Sequence, residues 1–183
     1  MQYLLLLITI ITVAFTTLVS VPNFGYPLNG YSQGLVSNLY PNAITPATYA
    51  FTIWSLIYAT WFALAIAVAT KYIVLSPRFI SVFSIAIVTS SLWLLPFHYL
   101  FQWASLAVML LILVLCLWSV DLSRHESKWA QYTAELFLGW ITVATAANIA
   151  IVIVSTPMLN SIGIFGANVW AIIGLAIATL VHT

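Results

Sequence analysis

Six long apolar runs divide the chain, at residues 3–21, 46–70, 79–95, 100–120, 129–154 and 162–181, separated by stretches rich in proline, glycine, serine and charge. A helix needs about 20 apolar residues to cross a hydrocarbon core of ~30 Å, and each run is long enough with modest tilt. The pattern predicts an all-α fold, a polytopic transmembrane helical bundle with six spans. The first run could be taken for a secretory signal. No basic residue precedes it, however, and its apolar part is too long, so it reads as a retained helix.

Within the second run the apolar positions have a finer pattern. Thr45 before Pro46 is a helix-start signal, because a hydroxyl can cap free amides and proline suits the first helical position. From there Phe51, Trp54, Tyr58, Trp61 and Ala65 recur at helical spacing and so share one face. An interfacial belt keeps aromatics at the ends of a span, whereas ten residues at ~1.5 Å each carry this stripe about 15 Å inward. Indole N–H and phenol O–H groups at that depth seek partners inside the bundle. The stripe therefore faces inward, either as core packing or as the wall of a ligand pocket, and periodicity does not separate the two.

Other helices carry related residues. Trp93, Phe97, His98 and Tyr99 cluster at the end of the third run and Trp103 opens the fourth. In the fifth, Trp140 and Asn148 flank Ala144, Ala146 and Ala147, small residues that let helices approach closely. Asn148 is either interhelical glue or a ligand contact.

Composition adds that 4% of the 183 residues are charged and 64% hydrophobic, against about 25% charged in a soluble domain, so the chain is read as an integral membrane protein. The four basic residues fall in two connections, Lys71 and Arg78 in one, Arg124 and Lys128 in the other. With six spans both connections lie on one side. Positive-inside bias then places both termini and the loops 71–78 and 121–128 on the cytoplasmic-equivalent face. The connection 22–45, opposite, is rich in turn formers yet carries Phe24, Tyr26, Tyr31 and Tyr40; it is either a structured lid or an aromatic loop at the headgroup level.

A net charge of +1 offers no basic face, which removes nucleic acid as a partner. Cys116 is alone, a small buried hydrophobe. Glu135 is the one acid inside a predicted span, with Lys128 and Gln131 on its face; it serves either structure or subunit contact, or a proton relay. No catalytic motif or metal-ligand set occurs, so neither catalytic nor metal residues are assigned. His98, as a neutral imidazole, is a candidate for haem iron or a porphyrin carboxylate.

Together, TPATYAFTIWSLIY with Pro46, Trp54 and Tyr58, LWLLPFHY with Trp93, and LFLGWITVATAAN with Trp140 and Asn148 resemble the tryptophan-rich sensory protein family, the TspO or translocator proteins. The resemblance covers roughly residues 41–154. It departs from the family pattern at Ala47, at Leu136-Phe137 and at Ser90, where the family commonly has proline, Pro-Tyr and asparagine. It implies a five-helix core over 1–160, with 22–45 as lid, and an additional helix in 161–183. It also implies tetrapyrrole, haem or sterol-like ligands and homodimers, with porphyrin breakdown an activity suggested for some members.

Stripe and resemblance combined give the expected ligand-binding set: Pro46, Tyr49, Phe51, Trp54, Tyr58, Trp61, Trp93, Trp140 and Asn148. The expected function is a sensor or carrier that holds a flat hydrophobic ligand, porphyrin or haem among the candidates, rather than an enzyme. The alternative is an accessory subunit of a larger membrane complex. The lipid bilayer, a small hydrophobic ligand and a homodimer or complex partner are the expected associates.

Overall fold

The computed structural model describes residues 2–20 and 28–161; the predicted helix at 162–181 and the loop residues 21–27 lie outside them. The described residues form eight helices: α1 (Gln2–Ser20), α2 (Gln33–Asn38), α3 (Ile53–Ala69), α4 (Pro77–Leu92), α5 (Leu94–His98), α6 (Gln102–Ser123), α7 (Lys128–Ser155) and α8 (Pro157–Ser161). Two 3-10 turns, Leu28–Gly30 and Thr48–Thr52, precede α2 and α3. Among the described residues, five stretches are long and apolar enough to cross a membrane: Tyr3–Ser20, Thr48–Ala69, Pro77–His98, Gln102–Ser123 and Lys128–Ser155.

Local chemistry sets several ends. The Ser76 hydroxyl accepts from the Phe79 amide at 3.2 Å and Pro77 occupies the first turn of α4; Ser127 caps α7 through Ala130 N–H at 3.3 Å. Pro96 has no N–H to give the Leu92 carbonyl, and α4 stops at Leu92, three residues before its expected end. The chain continues as the short α5. In the other direction α6 runs a turn past its expected end and takes in Asp121, so Glu135 is not the sole acid within a span.

The start of the second span is a correction. Thr45 does not cap a helix at Pro46: its hydroxyl accepts from the Asn42 amide at 2.8 Å, while the Asn42 side chain accepts from Ile44 N–H at 3.0 Å. These local bonds hold the segment as a turn. Ala47 is extended, a 3-10 turn follows, and α-helix begins only at Ile53.

Helix contacts run in a ring: α1 against α3, α3 against α7, α7 against α6, α6 against α4, and α4 against α1. Its interior is aromatic. The Trp61 and Phe137 rings meet edge to face at 4.9 Å, and Phe79 stacks on Phe83 at 5.3 Å, arrangements favoured by ring quadrupoles. At one end of the ring the Glu126 carboxylate accepts from Ser76 N–H at 3.1 and 3.3 Å, joining the two turns near the basic residues. On the surface of α7 the Lys128 ammonium donates to Gln131 at 3.0 Å and Gln131 donates to Glu135 at 2.8 Å, so Gln131 bridges the two charges.

Candidate ligand-binding site

At the opposite end, a small cavity lies between the residues leading into α3, the junction of α4 and α5, and the middle of α7. Phe51, Trp93, Phe97 and Trp140 wall it, with Pro46 and Ser37 on the loop side and Ala144, Ala147, Asn148 and Ile151 along α7. Its free volume is about 20 Å³, room for about one water molecule.

A buried polar node stands behind these walls. The Trp93 indole donates to the Ser105 hydroxyl at 2.8 Å, and the same oxygen faces the Asn148 amide, 3.1 Å from its nitrogen and 3.3 Å from its oxygen. One serine on α6 thereby joins the α4–α5 junction, α6 and α7 beside the cavity. Ser105 was not among the sequence candidates. The available signal was weak, a small hydroxyl in an apolar span that also holds Ser119.

Two rings pack on Trp140 from α3's side. Phe51 meets Trp140 edge to face at 6.0 Å, and Trp54 does so at 6.3 Å. Trp140's own Nε1–H is buried and has no partner among the described residues.

The structure gathers Pro46, Phe51, Trp93, Trp140 and Asn148 around one space. Trp54 stands behind Trp140 and, with Tyr58, lines a separate cleft. Trp61 lies deeper in the core, 1% exposed. Tyr49 is 78% exposed and outside the cavity. His98 is fully buried, its Nδ1–H donates to the Leu94 carbonyl at 2.8 Å, and its own carbonyl accepts from Asn29 at 3.1 Å. Phe97, stacked on Trp93 at 4.3 Å, is a wall that the expected ligand-binding set did not include.

Compared with known proteins, the chain matches the family model described as TSPO-like protein over residues 3–183. No curated protein and no solved structure matches it.

Proposed function

The chain belongs to the TSPO-like protein family, and from that premise we propose that it is a membrane sensor or carrier that binds a flat hydrophobic ligand, a tetrapyrrole or sterol-like molecule, between Phe51, Trp93 and Trp140. The observation that carries this reading is the Trp140 Nε1–H, buried without a partner among the described residues on a residue of the cavity wall. A buried donor costs free energy until it meets an acceptor, and a ligand carbonyl, hydroxyl or ring nitrogen supplies one. The aromatic walls suit a flat body.

The cavity must open to admit such a ligand. Phe51 is the wall placed to move, because it sits on a 3-10 turn, whose hydrogen-bond geometry is weaker than that of an α-helix. Trp93 and Asn148 are held by Ser105 and form the fixed side.

Titrating the purified chain with protoporphyrin tests this through quenching of tryptophan emission. Trp140→Phe keeps the ring and deletes the donor, and should weaken binding five- to tenfold, the size of about one hydrogen bond. Absence of saturable quenching in the unmodified chain would sink the proposal. The accessory-subunit alternative has less to rest on, since Gln131 already joins Glu135 to Lys128.

A further inference from the structure

Two adjoining clefts open at the charged end of the ring, around the turn that follows α3. The first, of about 230 Å³, lies between the last turns of α3, the turn itself and the start of α7. The second, of about 200 Å³, lies between the same turn and the first residues of α4. Ile73 lines both. Ala63 and Ala67, one helical turn apart, leave the first cleft open along α3 to about 9 Å inward of Ala69, at ~1.5 Å per residue. Val68, Leu75 and Ile80 make the second equally apolar. Tyr72 and Trp129, on the first cleft, are 83% and 64% exposed, and such rings belong at the level of lipid headgroups. The clefts therefore lead from headgroup level toward hydrocarbon, as a pair of acyl chains does.

Among the described residues, Lys71 is the one charged residue that lines either cleft. Arg78 lies over the Trp118 ring and Lys128 donates to Gln131, whereas Lys71 is exposed and its ammonium bonds to no described residue. The Glu126 carboxylate, which meets this turn, is taken up by Ser76 N–H. Lys71 also has φ +63°, a left-handed conformation at a helix end that glycine or asparagine adopts with less strain. A lysine there gives up some backbone ease and supplies a free cation above two apolar clefts.

We propose that this end of the molecule holds an anionic phospholipid, one acyl chain in each cleft on either side of Ile73 and the phosphate on the Lys71 ammonium. A zwitterionic lipid fits the clefts equally well, but its own cation competes with Lys71 for the phosphate. The preference for a net negative head is therefore set by Lys71, at about fivefold, the worth of about one cation near a membrane surface.

Titrating the purified full chain in detergent with dioleoyl phosphatidylglycerol and dioleoyl phosphatidylcholine, with bound lipid counted by native mass spectrometry, isolates the charge. The first phosphatidylglycerol should bind about fivefold more tightly than phosphatidylcholine. Its single-chain lyso form should bind at least tenfold more weakly than the two-chain lipid. Lys71→Asn removes the cation while easing the backbone, so it should lose that fivefold preference with no fall in thermal stability. Arg124→Gln deletes a charge at the same end that lines neither cleft, and should change affinity less than about twofold. Ala63→Phe, at an exposed helix position, fills the first cleft and should weaken both lipids severalfold. Equal affinity for the two lipids means ordinary bilayer solvation and overturns the proposal. Equal losses in Lys71→Asn and Arg124→Gln mean diffuse attraction, and undiminished binding in Ala63→Phe places the lipid elsewhere; either overturns it. So does the absence of any saturable lipid, which means that protein fills the clefts.

Discussion

Ser105 shows how much can depend on one side chain inside an apolar bundle. Its hydroxyl serves both Trp93 and Asn148, so Ser105→Ala leaves two buried polar groups unmet, each at about 1–3 kcal/mol. The expected loss of unfolding free energy in detergent is about 2 kcal/mol. Ser119→Ala is the control: Ser119 bonds only the Leu115 carbonyl of its own helix, and its loss should stay within about 0.5 kcal/mol, since such back-bonding adds little. Equal losses in the two variants would remove the node as a structural element. The partners on either side, Trp93 and Asn148, could be picked out in the sequence because large or amide side chains stand out among aliphatic ones. The small residue that joins them is inconspicuous, since serine in a membrane helix more often satisfies itself on the preceding turn, as Ser90, Ser91 and Ser119 do here.

At the scale of elements, the spans were readable because length and continuous apolarity decide whether a segment can cross a bilayer. Their ends were less so. Thr45 and Pro46 carry the residues of a helix start, yet Asn42 sits near enough in sequence to take the threonine hydroxyl for a turn. The 3-10 turn that follows advances about 120° per residue instead of 100°. Register along the stripe is therefore reliable only from Ile53 onward, and Trp54, Ile57, Trp61 and Ala65 are buried while Tyr49 is not. His98 is buried for a related reason: it ends α5, and its imidazole bonds back to the Leu94 carbonyl one turn earlier instead of reaching water. The break at Pro96 also allows a prediction. Pro96→Ala restores an N–H for the Leu92 carbonyl and should fuse α4 with α5, raising helix content slightly by circular dichroism. As Trp93 lies at that joint, stacked on Phe97, protoporphyrin affinity should fall severalfold in the same variant. Unchanged affinity with a fused helix would show that the kink does not shape the cavity.

For the whole molecule, the separation of chemistry between the two ends is the organising fact. The Glu126–Ser76 contact and the nearby basic residues mark one end, and the aromatic cavity with its neighbouring cleft marks the other. By the positive-inside rule we predict that the charged end lies on the cytoplasmic-equivalent face. Single cysteines at Arg124 and Asn42, introduced after Cys116→Ala, should then label from opposite sides of sealed vesicles, with position 42 reached by an impermeant maleimide from the non-cytoplasmic side. Labelling of position 124 from that side would reverse the orientation.

The order of helices around the ring has a consequence for biogenesis. As the chain emerges, α1, α3 and α4 can associate at once, since α1 touches both of the others, and α6 can then join α4. The circuit closes only when α7 enters between α6 and α3. Until then Trp54 and Trp61 lack their partners Trp140 and Phe137, and Ser105 lacks Asn148. A nascent chain halted before Lys128 would present bare indoles and a hydroxyl with one of its two partners missing, features by which insertion chaperones and quality-control proteases could tell an unfinished chain from a completed one.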